Sequence, residues 1–411
     1  MNLKMNLKNN SCSHIQSQSA SIVPPQCIGI MGGGQLGRML AISAKQMGYQ
    51  VVILDPDINC PAKQFANHHI VTNYDDKTGL DQLAKYANVI TTEFENVPAT
   101  SMEYLNNQIS TYPSAGAILI AQNRLNEKQF FNQHNIKTAQ YCAISTIDDI
   151  HSVDIAMFPA ILKTNQFGYD GKGQIKVNNQ QELLKAFASL NNATSINTAC
   201  KDTVAKNVTC ILEKIVDIKL EVSIVVARSQ TEKIAYPVVE NIHQDGILDI
   251  TLAPARIEPL LSHQITNIGL NIIESLDYIG VLAIEFFITQ DNQILANEMA
   301  PRPHNSGHYT VDTCMTSQFE QQLRSICNLK LGEVGFNTNA IMLNLLGNIW
   351  QSPTLAPNWQ NILTKHPNLK LHLYEKQEAR AGRKMGHITI WGNNLDQLLH
   401  TIEQIKLELT C

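Results

Sequence analysis

Between Gly280 and His308 the chain reads GVLAIEFFITQDNQILANEMAPRPHNSGH. Two apolar runs, Val281 to Ile288 and Ile294 to Asn297, flank the polar, turn-prone Thr289 to Gln293, which is the pattern of a β-hairpin. With a two-residue loop at Asp291 and Asn292, the numbers of facing partners sum to a constant, and that register sets Glu285 opposite Glu298 on one face. Facing carboxylates repel, so the pairing makes sense with a cation between them. Magnesium suits it: a hard ion takes one or two carboxylates plus substrate phosphates, and Asn297 beside Glu298 can add a neutral oxygen. Asp-Asn is a weaker turn pair than Asn-Gly, and a register slipped by one residue would leave one glutamate solvated and the hairpin purely structural.

At 411 residues the chain exceeds one ordinary core and calls for two or three domains. A hydrophobic content of 44 % with 16 % charged residues describes a soluble globular protein, and a net charge of -5 argues against partnership with nucleic acid or an acidic membrane. The nine cysteines form no CxxC pair, which fits free thiols in a reducing compartment. No apolar run approaches the roughly 20 residues that span a bilayer, so the expectation is a cytoplasmic protein. Residues 1–25 open on the repeat MNLKMNLK and continue as a polar run, read as a disordered extension or a misassigned start.

From Cys27 strands and helices alternate. Gln26 to Met31, Leu40 to Met47 and Tyr49 to Leu54 make a βαβ unit, with Gly32, Gly34 and Gly37 at the spacing of a dinucleotide-binding turn and Asp55 where a ribose-binding acid would sit. On these residues alone a nicotinamide or flavin enzyme stays open. A helix over Lys77 to Ala87 and a strand over Asn88 to Thr92 follow, and Glu93 and Glu95 then stand at the strand end where α/β sheets bind ligands or carry plain loop acids.

Beyond Tyr112 the pattern changes. Asn123 to Asn135 reads as a charged amphipathic helix, and Phe158 to Lys163 as a strand ending on a lysine. Gly168 to Gly173 lies between two strands, not between a strand and a helix, so it is no Walker loop; it fits a hairpin lid over phosphates with Lys172 adding charge, or a plain Gly-rich turn. Glu182 to Leu190 is helical and Asn191 to Lys206 loop-like. A strand ends on Glu213 and Lys214, another carries Glu221, and His243 falls in the loop NIHQDGI. Late in the chain, KQEARAGRKMGH gathers Lys376, Arg380, Arg383, Lys384 and His387 around a glycine, a set suited to a phosphomonoester or simply a solvated basic loop. His304 and His308 have the spacing of zinc ligands, but no third ligand group is evident nearby.

A lysine at a strand end, a Gly-rich lid, a Glu-Lys strand end and an IEF…NE hairpin, in that order over residues 121–325, resemble the ATP-grasp fold. GGGQLGRM, EFENVP, FGYDGKGQ, HQDGI, APRPHNSGH and RAGRKMGH together are similar to the 5-(carboxyamino)imidazole ribonucleotide synthase family, over about residues 27–405. Ala381 stands where that family usually has proline. The resemblance implies an α/β and α+β multidomain fold: a Rossmann-like N-terminal domain over 26–120, an ATP-grasp domain over 121–330 and a small C-terminal domain over 331–411. It moves GGGQLGRM from a nicotinamide site to a substrate-phosphate or ribose site. It implies an ATP- and bicarbonate-dependent carboxylation of aminoimidazole ribonucleotide through carboxyphosphate, in purine biosynthesis, by a homodimer using magnesium.

The implied roles follow the matched motifs. Arg124, Lys163, Gly168, Tyr169, Asp170, Gly171, Lys172, Gly173 and Gln174 would meet ATP phosphates or form the lid, with Tyr169 to Lys172 also reaching bicarbonate or the imidazole. Glu213, Lys214, Ile215, Val216, Glu221 and His243 would line the adenine and ribose pocket, and Glu285 and Glu298 would hold magnesium beside Asn297. Gln35, Glu95, Arg302, His304, Asn305 and Ser306 would contact the nucleotide substrate, whose phosphate would lie on Lys376, Arg380, Arg383 and Lys384. A nucleotide-binding protein without turnover and a Rossmann oxidoreductase are the competing readings.

Overall fold

The computed structural model describes residues 20–166, 173–197, 209–335, 338–352 and 355–410. Its first sheet is parallel: β1 (Cys27–Met31), β2 (Gln50–Leu54), β3 (His68–Ile70), β4 (Val89–Thr92) and β5 (Thr111–Tyr112), in the order β3-β2-β1-β4-β5. β1 and β4 are buried throughout, which is why they read as unbroken apolar runs instead of alternating ones. The end of the expected disordered extension is tied down. Ile22 N donates to Cys327 O (2.9 Å) and Tyr49 Oη to Ile22 O (2.7 Å), so residues 20–25 belong to the fold; Ile22 packs on the first sheet's core.

A second, antiparallel sheet contains β6 (Tyr141–Ile144), β7 (Ala160–Thr164), β8 (Gln174–Val177) and β9 (Cys210–Lys214) in the order β6-β9-β7-β8. Lys163 faces Gln174 at the mouth of the β7–β8 hairpin. The helix packed on this sheet runs Gln180–Asn197, seven residues further than the sequence reading, because Asn191 to Asn197 holds no Gly or Pro to stop it.

The third sheet is the largest: β10 (Ile218–Arg228), β11 (Lys233–Ala235), β12 (Val239–Gln244), β13 (Ile247–Ala253), β14 (Gly280–Thr289), β15 (Ile294–Ala300), β16 (Asn339–Leu346), β17 (Leu369–Leu373) and β18 (Lys384–Gly392). Their order is β15-β14-β10-β12-β13-β16-β18-β17, with β11 beside β10. The small C-terminal domain does not merely lie against the rest: Ile250 to Ala253 pair with Leu343 to Ala340, so its strands continue the sheet and cover what would be an exposed edge at β13.

The β14–β15 hairpin differs from the sequence reading in a way that cancels. Thr289 N donates to Gln293 O (3.0 Å) around a three-residue loop whose last member, Asn292, takes φ 59°, and near the turn Ile288 faces Ile294 and Phe286 faces Ala296. Asn297 is then an extra, bulged residue, after which Glu285 faces Glu298. Loop and bulge each shift the register by one residue, in opposite senses, and the expected glutamate pair results.

The helix Gln318–Ile326 joins the first and third sheets. Phe319, Leu323 and Ile326 complete the core of the first, while Gln322, 1 % exposed, donates through Nε2 to Thr91 Oγ1 on β4 (3.0 Å) and accepts from Val281 N on β14 (2.6 Å). Gly280 at φ 127° admits this strut, since a Cβ there would lie 2.8 Å from Gln322 Oε1. Among the described residues no helix is long and apolar enough to cross a membrane.

Candidate active site

The glycine turn after β1 is filled by the protein's own acids. Gly33 N donates to Asp55 Oδ2, and Gly34 N and Gly37 N donate to the two oxygens of Glu93, each at 2.7 Å. A Cβ on Gly32 would sit 2.5 Å from Glu93 Cγ, so the glycines make room for this carboxylate. That corrects the dinucleotide reading, and equally the reading of these amides as a substrate-phosphate cradle: the protein's own carboxyl groups already accept from them. Two other side chains of this edge face the rest of the molecule. Gln35 Oε1 accepts from Lys376 Nζ, and the Glu95 carboxylate pairs with Arg302 Nε. Burial alone would raise Glu95, but the Arg302 charge outweighs it and holds the carboxyl below its usual range.

The glutamate pair sits between this edge and the second sheet. Burial, then the Glu298 charge, pushes Glu285 up to about 7; its side chain is 17 % exposed and its Oε1 lies 3.5 Å from His304 Nε2. Glu298 Oε2 lies 3.3 Å from Arg124 Nη1. The helix Arg124–Gln133 presents Arg124, Glu127 and Lys128 on one face together with Phe131. Lys128 Nζ donates to the bulge carbonyl Asn297 O (2.9 Å) and lies 3.7 Å from Glu213 Oε1 at the end of β9, whose other oxygen takes Lys163 Nζ at 2.7 Å. Burial would raise Glu213, yet Lys128 and Lys163 keep it below the ordinary range. Glu127 is 3 % exposed, accepts from Met299 N (2.6 Å), and is driven up to about 8 by burial and then by Glu298.

Glu127, Lys128 and Asn165 escaped the sequence reading. Asn165 O and Oδ1 accept from Arg124 N (3.0 Å) and Leu125 N (2.9 Å), fixing the start of that helix. The signal for the charged pair was present: Arg124, Glu127 and Lys128 share helical spacing with Phe131, and charges on a core-facing stripe need buried partners. A cavity of about 80 Å³ opens here between Glu95, Arg124, Glu127, Asn165, Glu298 and Arg302.

His243 lies within β12, not in a loop, because its strand continues to Gln244 and pairs with β13. Its Nδ1 is 2.6 Å from Glu221 Oε2, a diagonal neighbour across the β10–β12 ladder, where Glu221 faces Asn241. Burial opposes the charged ring, but Glu221, Glu285 and Glu298 raise its pKa. Beyond β15, burial and then the Arg302 and Lys384 charges hold His304 well below its ordinary value. Asn305, 6 % exposed, has both ends of its side-chain amide without a partner among the described residues, whereas Ser306 is fully buried behind His304. Lys214, Ile215 and Val216 form the half-buried connection from β9 to β10, with Ile215 N on Pro159 O (3.0 Å).

In the basic loop, Lys376 also donates to Lys384 O (2.7 Å), and Lys384 is close enough to Glu95, Glu285 and His304 to influence each. Arg380 is exposed, and Arg383 gives Nη1 to Glu378 O (2.8 Å). Gly173 (φ 72°) and Gln174 stand at the start of β8; Gly168, Tyr169, Asp170, Gly171 and Lys172 lie outside the described residues. The zinc pattern gains nothing from the fold. Asp312, His372 and His387 approach one another, with His372 Nε2 2.9 Å from Asp312 Oδ2, His387 Nδ1 2.8 Å from Tyr374 Oη and the two imidazoles stacked at 4.4 Å.

Comparison with known proteins covers most of the chain. Residues 26–122 match the ribonucleotide synthetase preATP-grasp domain, 129–319 the ATP-grasp domain, and 340–401 the phosphoribosylaminoimidazole carboxylase C-terminal domain. The N5-carboxyaminoimidazole ribonucleotide synthase of Bacillus subtilis (strain 168) is 38 % identical over 387 residues, covering 93 % of this chain and 95 % of that one. The crystal structure of the Staphylococcus aureus N5-carboxyaminoimidazole synthetase complexed with ADP is 35 % identical with a TM-score of 0.83, covering 95 % of this chain and 98 % of that one. The Aspergillus clavatus N5-carboxyaminoimidazole synthase in complex with ADP and 5-aminoimidazole ribonucleotide is 30 % identical with a TM-score of 0.82, covering 93 % and 98 %.

Proposed function

Because the chain belongs to the N5-carboxyaminoimidazole ribonucleotide synthase family of ATP-grasp ligases, we infer that it carboxylates 5-aminoimidazole ribonucleotide at the expense of ATP and bicarbonate, in purine biosynthesis. One observation supports the phosphoryl-transfer half most directly. Two carboxylates face each other across β14 and β15, and burial with the charge of Glu298 holds Glu285 up to about 7, so a cation between the two would relieve both. The donors are hard oxygens, so Glu285 and Glu298, with Asn297 beside them, suit magnesium. When bound, magnesium supplies charge neutralisation for the β- and γ-phosphates of ATP.

The chain's own groups account for the rest. The segment Glu213 to Val216 with Glu221 and His243 holds adenine and ribose, while Lys163 and Arg124 meet the phosphates under the lid proposed for residues 168–173. Bicarbonate oxygen attacks the γ-phosphate and gives carboxyphosphate, whose carboxyl passes to the exocyclic amine with release of ADP and phosphate. Excluding water from that short-lived species is the task of the lid residues Tyr169 to Lys172. Arg302, His304 and Asn305, the last with a bare buried amide, face the imidazole nucleotide. Its phosphate lies by Gln35 with Lys376, Lys384, Arg380 and Arg383; Arg383 is held below its usual value by burial and by the like charge of Arg380, a strain that an anion would relieve. The same reading makes the protein a cytosolic homodimer.

The test is ADP release with magnesium-ATP and bicarbonate, with and without aminoimidazole ribonucleotide, while labelled bicarbonate is trapped in the acid-labile product. ADP formation that requires the nucleotide and matches the carbamate one to one is expected. ATP turnover without carbon fixation would keep the phosphoryl-transfer site and remove the acceptor, and no turnover would return the nucleotide-binding alternative. Glu298→Gln is expected to remove most turnover at unchanged fold; full turnover at saturating magnesium would dismiss the metal assignment.

A further inference from the structure

A line of polar side chains crosses the third sheet and ends on His304. Thr251 on β13 donates its hydroxyl to Asn241 Oδ1 on β12 (3.1 Å), and Asn241 Nδ2 donates to Ser223 Oγ on β10 (2.8 Å). Ser223 Oγ is 2.8 Å from Ser306 Oγ, which is 2.9 Å from His304 Nδ1. Thr251, Ser223 and Ser306 are fully buried and Asn241 is 5 % exposed. Apolar residues would fill these positions without the cost of desolvating four polar groups, so the line answers a need other than packing.

Its direction can be followed proton by proton. An amide NH₂ only donates, so Ser223 accepts from Asn241 and spends its own proton on Ser306; Ser306, having accepted, spends its proton on His304 Nδ1. The backbone supplies a second, independent witness, since Ser306 N–H also points at Nδ1, at 3.3 Å. With two donors aimed at it, Nδ1 is an acceptor. An imidazole whose Nδ1 accepts carries no proton there, so the ring is uncharged and its one proton sits on Nε2, the nitrogen that looks toward Glu285.

We propose that Thr251, Asn241, Ser223 and Ser306 are positioning residues that lock His304 as the neutral Nε2–H tautomer. His304 then serves carboxyl transfer by donating a hydrogen bond to developing negative charge, and does not take the proton of the attacking amine. In that step the amine nitrogen bonds the carboxyl carbon, the carbon–oxygen bond to phosphate breaks with its electron pair on phosphate, and the amine proton leaves on that phosphate. The role in transfer rests on the function proposed above; the tautomer does not.

The first experiment therefore uses the free protein: ¹⁵N NMR of histidine-labelled chain, with His304 assigned by comparison with His304→Gln. A proton on Nε2 and a bare Nδ1 are expected, and a proton on Nδ1, or exchange between the two, overturns the proposal even if the enzyme is active. The second is kinetic. The side-chain amide of His304→Gln sets an N–H near the position of Nε2 but provides no base, so it should keep kcat within about tenfold, whereas His304→Ala should lose about 100-fold. Equal losses in the two variants would instead identify a base. Ser223→Ala should lower kcat several-fold with KM for ATP unchanged and bring the second tautomer into the spectrum; an unaltered His304 signal would remove the positioning role. A wild-type chain that shows the Nε2–H tautomer but forms no carbamate would sink the proposed reaction and leave the tautomer standing.

Discussion

Glu285 carries the clearest consequence at the scale of one residue. Raising a glutamate from 4.5 to about 7 means that ionising it in place costs roughly 3 kcal/mol. The folded carboxyl binds a proton that the unfolded one has already lost, so between those values the folded state holds more protons and stability falls as pH rises. The metal-free protein should thus melt higher at pH 5.5 than at 7.5, and Glu285→Gln should flatten that difference. Magnesium binding must expel the proton, so its apparent affinity should weaken by up to about tenfold per pH unit below about 7, readable by calorimetric titration. An affinity independent of pH across that range would mean that Glu285 is no ligand.

At the scale of an element, the helix Arg124–Gln133 does more than its sequence announced. Arg124 reaches Glu298, Lys128 reaches both Asn297 O and Glu213, and Glu127 holds Met299 N, so one helical face connects the hairpin to the end of β9. Lys128→Met leaves Glu213 short of a buried partner and should cost about 3 kcal/mol in denaturant unfolding; adding Glu213→Leu should recover part of that loss. A double variant less stable than the single one would refute the coupling. The sequence made the paired glutamates legible because strand alternation and turn chemistry are local. It hid the bulge at Asn297, since the opposite error in loop length gave the same pairing. The occupant of the glycine turn was equally hidden: glycine spacing records that something approaches closely, and Glu93, 56 residues beyond Gly37, is set there by topology. His243 was mistaken for a loop residue because Asp245 and Gly246 mark a turn only after the strand has passed it.

At the scale of the whole molecule, Gln322 is a single side chain bonded to two sheets. Gln322→Leu should strand the amide of Val281 in an apolar setting, lowering stability by about 2 kcal/mol and speeding hydrogen exchange at that amide specifically. Unchanged exchange there would mean the strut carries no load. The entry to the second sheet is likewise fastened as far as Lys137, whose carbonyl accepts from Ala296 N at 2.8 Å. Past that point the sheet of β6 to β9 is joined to the third sheet in the chain only by residues 138–140 and 215–217. With the first and third sheets braced as one chassis, the second is held to it across the gap by Lys128 on Glu213 and by Asn165 on the start of the helix Arg124–Gln133, and the nucleotide pocket proposed between Glu213 and the glutamate pair spans those contacts. Loosening those few contacts to exchange nucleotide would leave undisturbed the surface proposed for the imidazole substrate, so one substrate could wait in place while the other comes and goes.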